Sequence, residues 1–133
     1  MAEIENDRLY TEDHEWILVD AADDALVTLG ITDFAQDALG DIVMVELPEV
    51  GESVQQGQVF GEVESPKSVS DVFSPVTGEV MAMNVVLEDA PELVNDSPFD
   101  EGWLIRVRLE NKAELDGLMS PSSYGAFCDA QNQ

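Results

Sequence analysis

Between residues 61 and 80 the chain reads GEVESPKSVSDVFSPVTGEV, two strand-like runs folded back on each other at Ser65-Pro66-Lys67-Ser68. Serine suits the first position of a four-residue turn and proline presets the backbone angle at the second. Lys67 then occupies the third corner, its side chain directed out of the protein. On the incoming side Val59, Gly61 and Val63 alternate with Phe60, Glu62 and Glu64; the outgoing run continues from Val69 to Phe73. A hairpin with a turn this short joins antiparallel strands.

The rest of the chain is punctuated in the same way. WILVD (16–20), ALVTLGI (25–31) and DIVMVEL (41–47) are apolar or β-branched runs bounded by acidic and glycine turns. WLIRVRLE (103–110) sets Ile105, Val107 and Leu109 on one face and Arg106 and Arg108 on the other, the pattern of a half-buried strand. GEV occurs at Gly61–Val63 and again at Gly78–Val80, and prolines 66 and 75 flank the lysine. This short repeat suggests two similar β halves and a flattened sandwich rather than a barrel. Gly61 and Gly78 would let strands approach closely at the hairpin base.

Helical signals are few. In TDFAQDALG, Asp33 with Gln36 resembles a capping box, Phe34, Ala38 and Leu39 form an apolar face, and Gly40 stands where a helix stops. Near the C-terminus Leu115, Leu118 and Met119 have helical spacing. Ser120 then caps a second helix, with Pro121 at its first position and Tyr124, Phe127 and Cys128 on its apolar side. The expected helical segment runs from about 112 to 130 and packs on the sheet. No linker divides the 133 residues, which are too few for two ordinary domains, so residues 1–133 form one domain.

The formal net charge of −24 opposes DNA, RNA or an anionic membrane as partner. It fits a small protein that meets basic patches on larger ones, and equally a surface that is acidic for solubility. One cysteine, Cys128, and one histidine, His14, leave no internal disulfide, no cysteine-based metal cluster and no metal centre. No apolar run is long enough to span a bilayer. MAEIENDRLY is not a secretory or transit peptide. The expectation is a cytoplasmic chain, or one in the mitochondrial matrix if it is a trimmed mature form.

Only two lysines occur, Lys67 and Lys112. A Schiff-base role at Lys67 would require a depressed pKa, whereas Glu62, Glu64 and Asp71 would keep the amine protonated. A salt bridge at a hairpin tip would contribute little. An acceptor for a swinging prosthetic group needs exposure, rigidity and enzyme access, which the turn supplies; an ordinary exposed lysine is the plain alternative. His14 fits a packing or hydrogen-bonding role, and Trp16 and Trp103 read as core or half-core aromatics. Cys128 reads as buried filler, and Arg106 and Arg108 as offsets to surrounding acid.

The blocks YTEDHEW (10–16), LGITDFAQDALGDIVMVELPEVG (29–51), GEVESPKSVSDVFSPVTGEV (61–80) and EGWLIRV (101–107) resemble the glycine cleavage system H proteins, from Tyr10 to about Phe127. That resemblance implies a mostly β, lipoyl-domain-like barrel-sandwich hybrid with a short internal helix and C-terminal helices. It also implies lipoate joined by an amide to Lys67, read by its attaching enzyme through Glu64, Ser65, Pro66 and Ser68. The family usually has E-S-V-K-A there, so Pro66 and Ser68 depart from it; biotin carriers place methionines on both sides of the lysine.

By the same resemblance the protein is a monomeric carrier without catalytic residues. Lipoyl-Lys67 would shuttle an aminomethyl group from the pyridoxal-phosphate glycine decarboxylase (P protein) to the tetrahydrofolate-dependent aminomethyltransferase (T protein). Electrons would pass to dihydrolipoamide dehydrogenase (L protein), and a lipoate ligase or lipoyl transferase would load the lysine. Glu15 and Asp71, with Asp13 a further candidate, match acids that line the arm's cleft in the family, while Ala38 stands where some relatives carry a histidine. The alternative is an H-like lipoyl relay that passes lipoyl groups to other enzymes.

Overall fold

A computed structural model describes residues 3–131. Nine strands form two antiparallel sheets that do not close into a barrel among the described residues. The larger sheet contains β1 (Leu9–Tyr10), β2 (Glu15–Val19), β3 (Leu26–Ile31), β5 (Ser53–Val54), β8 (Gly78–Met83) and β9 (Ile105–Leu109), in the order β1-β2-β3-β9-β8-β5. The smaller contains β4 (Met44–Glu46), β6 (Val59–Ser65) and β7 (Ser68–Phe73), with β6 central.

Alternation decides what each strand buries. Ile105, Val107 and Leu109 of β9 join Ile17, Val27, Leu29, Val54 and Val80 in one cluster. Val63 and Val72, from the small sheet, enter a second cluster with Ile31, Ile42, Leu87 and Leu104. Phe60 and Leu47 pack against both clusters and join the sheets. The opposite face of β2 presents Trp16 to Tyr10, Phe99, Tyr124 and Cys128. There α3 (Pro121–Gln131) covers the large sheet, with Tyr124 stacked on Tyr10 at 4.5 Å.

The two GEV segments fall in different sheets, β6 and β8. What they share is crowding. A Cβ on Gly61 would collide with the Glu46 carbonyl oxygen, and one on Gly78 with that of Arg108. Both positions therefore exclude a side chain, as the pattern around the hairpin suggested.

Several local expectations are corrected. Helix α1 (Asp33–Leu39) is capped by Thr32, whose hydroxyl accepts the Ala35 N–H; the expected pair, Gln36 and Asp33, bond each other instead, at 2.7 Å. Its apolar residues divide between clusters, Ala35 and Leu39 in one and Phe34 in another, and Ala38 is exposed. The run 41–47 is strand only over Met44–Glu46. Lys112–Gly117 is a short 3-10 turn rather than an α-helix; it starts in a tight turn in which Asn111 Oδ1 accepts the Ala113 N–H at 3.1 Å, and Leu115 and Leu118 pack against the first core cluster. Ser120 does cap α3, accepting the Ser123 N–H. A 3-10 turn at Val85–Glu88 and α2 (Leu93–Asp96) carry no strong sequence signal.

Candidate functional site

Lys67 stands at the tip of the β6–β7 hairpin, whose last pair is Ser65 with Ser68, so that Pro66 and Lys67 alone make the turn. Two-residue hairpin turns favour positive φ at one or both residues. Proline cannot adopt it, and His14 is the one non-glycine residue with positive φ among those described. The turn therefore keeps negative φ at Lys67, held by Pro66 and by the Ser65 hydroxyl donating to the Ser68 carbonyl at 3.4 Å. Ser65 is buried; Pro66, Lys67, Ser68 and Val69 are exposed.

The lysine side chain lies along Gly40, at the C-terminal end of α1. A Cβ there would sit 3.4 Å from Lys67 Cε and 3.7 Å from Nζ. Those are ordinary contact distances, so what favours glycine at this position is its backbone angle, φ of 85°. Asn95, from α2, holds the segment in place. Its Nδ2 donates to the Gly40 carbonyl and to Gln36 Oε1, each at 2.9 Å, and its Oδ1 accepts the Ile42 N–H at 2.8 Å. The sequence contained no local sign of this clamp, since Asn95 and Gly40 are 55 residues apart.

The other cations have partners. Arg8 pairs with Asp7, Arg108 with Asp23 and Lys112 with Asp24, and Arg106 lies over the Trp103 ring at 5.4 Å. Among the described residues Lys67 alone has neither an ion pair nor an aromatic face. Its surroundings are acidic: Glu46, Glu62 and Asp71 form a row across the small sheet. Partial burial and the carboxylates of Glu46, Asp71 and Glu64 push the Glu62 carboxyl up from its ordinary value.

Of the three acids matched to an arm cleft, Asp13 and Asp71 are at the surface and Glu15 is inside, 3% exposed. Glu15 Oε1 accepts the Thr11 hydroxyl at 2.9 Å, and Oε2 accepts the Phe73 N–H at 3.0 Å. Burial raises its pKa to about 7, against the lowering effect of those two hydrogen bonds. As placed, this carboxylate ties the β1–β2 turn to the base of the lysine hairpin.

Beside it, His14 adopts φ of 66° and occupies the left-handed position of the Glu12–Asp13–His14 loop. Its ring stacks on Phe34 at 4.4 Å. Nδ1 meets the Tyr124 hydroxyl at 2.7 Å and Nε2 meets Gln131 Oε1 at 2.8 Å. The amide oxygen only accepts, which places the imidazole proton on Nε2 and makes Tyr124 the donor to Nδ1. Thr32 then donates to Tyr124 at 2.6 Å while capping α1, so one directed chain of hydrogen bonds joins α1, the loop and α3. This bears out a hydrogen-bonding and packing role for His14.

No group of three or more His, Cys, Asp or Glu side chains among the described residues is arranged to hold a metal ion. No described helix is long and apolar enough to cross a membrane.

Comparison with known proteins places this geometry in context. The family model "Glycine cleavage H-protein" matches residues 8–131. The glycine cleavage system H protein of Teredinibacter turnerae is 53% identical over 124 residues, which cover 93% of this chain and 94% of that one. That of Rubrobacter xylanophilus is 55% identical over 124 residues, with the same coverage. A crystal structure of a glycine cleavage system H protein from Mycobacterium marinum superposes with a TM-score of 0.86 at 41% identity, covering 95% of this chain and 99% of that one.

Proposed function

The chain belongs to the glycine cleavage H-protein family, the lipoyl carriers of the glycine cleavage system, and on that footing we propose that Lys67 is the residue on which it carries lipoate. The observation that supports this reading is the Lys67 amine itself, exposed at the end of a short, proline-braced turn and unpaired among the described residues. Forming an amide requires an amine that an acylating enzyme can reach and deprotonate. A buried or ion-paired nitrogen would fit poorly; this one fits.

Glu64, Ser65, Pro66 and Ser68 flank Lys67 in the hairpin and are what such an enzyme would read. When bound, lipoate supplies a dithiolane that takes up a one-carbon unit and electrons in turn. The chain's own residues hold the root of the arm: Pro66 stiffens the turn, Gly40 lies beside the lysine stem, and Asn95 fixes Gly40. Glu15 acts as a positioning residue through Phe73. Asp71 and Asp13 stand at the surface where a cationic arm could meet them. The partners are the glycine decarboxylase, the aminomethyltransferase, dihydrolipoamide dehydrogenase and a lipoate-attaching enzyme, and the chain itself is their shared substrate, without turnover of its own.

The test combines peptide mapping with reconstitution. Chain expressed in cells with active lipoate ligase should carry the lipoyl mass on the Lys67 peptide and none on the Lys112 peptide. Glycine–bicarbonate exchange with the decarboxylase should disappear in Lys67→Arg. Exchange that survives that substitution, or a Lys67 left unmodified, would overturn the assignment.

A further inference from the structure

Around the hairpin tip lie apolar side chains that nothing covers. Val43, Met44, Val69, Val85 and Val86 are 55%, 54%, 55%, 60% and 52% exposed. Topology gathers them. Met44 pairs with Glu64, which pairs with Val69, so the three form one row on the outer face of the small sheet, two residues from the lysine. Valines 85 and 86 belong to the 3-10 turn that packs against β4. Singly exposed valines are ordinary, but a cluster beside a functional group marks a contact surface.

The polar residues of this face have one sign. Glu64 lies inside the row, and Glu46, Glu62 and Asp71 form the next row on the same face; Glu88 and Asp89 flank the valines. Apart from Lys67 no cation stands there, since the other four are engaged elsewhere. The complement is a partner surface with an apolar centre and a basic rim.

We propose that this face, centred on Met44 and Val69, is the docking surface for the enzyme that acylates Lys67. The inference rests on the carrier reading above. Reach selects this occupant. An enzyme working at the far end of an arm can stand away from its root, whereas one that joins Nζ to an acyl carbon must bring its active site to the hairpin tip. In that step the amine attacks an acyl adenylate or thioester, the amide C–N bond forms, the adenylate or thiol leaves, and the amine gives up its proton. A standard interface covers about 800 Å² on each partner, so a footprint centred on the tip extends over the residues around it. The inner face of the hairpin is occupied by the core through Val63 and Val72, which leaves the outer one.

The test uses the full-length apo chain with a lipoate–protein ligase, lipoate and ATP, and follows acylation by intact mass. Val69→Glu and Met44→Glu should each lower kcat/KM at least tenfold, mainly through KM. Val50→Glu, at a valine 61% exposed in the loop beyond β4, should stay within twofold of wild type. Circular dichroism melting of each variant reports folding, and Val69→Thr, which keeps the shape and the strand propensity, should lose several-fold if Val69→Glu unfolds. Raising ionic strength should lower kcat/KM of the wild type. Patch variants acylated at the wild-type rate, or Val50→Glu impaired as strongly, overturn the proposal while leaving Lys67 as the carrier residue. A wild-type chain acylated nowhere, or at Lys112, removes the carrier reading and this proposal with it.

Discussion

The carboxylate of Glu15 accepts the backbone N–H of Phe73 at 3.0 Å, joining the tryptophan-bearing strand β2 to the far end of the strand that leaves Lys67. The acid that resemblance matched to the arm's cleft is, in this structure, buried as a strut beneath the hairpin. Its burial has a thermodynamic signature.

Glu15 titrates near 7 in the folded chain, against an ordinary value of 4.5. Between those values the folded chain keeps a proton that the unfolded chain has released, so stability falls as pH rises through that window. At about 1.4 kcal/mol per pH unit the loss due to Glu15 is on the order of 3 kcal/mol at most. Glu15→Gln should flatten the dependence of urea-unfolding free energy on pH between about 4.5 and 7 relative to wild type. Parallel curves for the two proteins would contradict the buried placement.

His14 shifts the other way. Burial lowers its pKa from 6.5, outweighing Gln131 and Asp13, which act to raise it. The unfolded chain therefore takes up the proton first, and the contribution of His14 to stability, complete above 6.5, is lost as pH falls from there through the folded value. Because the chain has one histidine, its NMR titration is unambiguous, and a midpoint below 6.5 is expected. A midpoint at or above that value would mean that the imidazole is not enclosed.

The left-handed backbone of His14 predicts an unusual order of variants. Both His14→Ala and His14→Gly lose the stack on Phe34 and the bonds to Tyr124 and Gln131. Only glycine also relieves the backbone, so His14→Gly should be the more stable by about 0.5–1 kcal/mol in chemical denaturation. Alanine as the better substitute would exclude the positive φ.

Gly30 lies directly across from Trp16 in the β2–β3 ladder, and a Cβ there would overlap the indole. The ring has no room to retreat. Its Nε1 donates to the Pro98 carbonyl at 2.9 Å, and the Arg8 guanidinium sits 4.5 Å above it. Gly30→Ala should cost about 1–3 kcal/mol, as overpacking does, and shift tryptophan fluorescence. Wild-type stability in this variant would show that the contact is loose.

Lys67→Arg separates function from fold. An exposed turn residue without partners contributes little, so stability should change by less than about 0.5 kcal/mol. The guanidinium keeps the charge but offers no amine to acylate, and ligase-catalysed mass gain should vanish. A lowered melting temperature would reveal a structural role for Lys67 not apparent from its contacts.

How much of this was legible beforehand depended on distance along the chain. The two-residue alternation of β9, the Ser65–Ser68 turn, the stop at Gly40 and the Ser120 cap each depend on neighbours a few positions away, and each appeared where local chemistry placed it. Local chemistry erred where two answers were close. Thr32 and Asp33 both cap helices well, and a hydroxyl already held by Tyr124 decided for Thr32.

The sequence by itself determined that a lysine would ride on the tip of a hairpin in a small antiparallel protein, because strand period, turn geometry and family blocks are all written in adjacent residues. Only the tertiary structure decided what that hairpin rests on. Phe73 is reached by Glu15 from 58 positions away, Gly40 by Asn95 from 55, and Thr32 by Tyr124 from 92. Contacts so remote leave no periodic trace, since a buried acid, an amide clamp and a solvated surface residue are spelled with the same letters until folding excludes water from some of them.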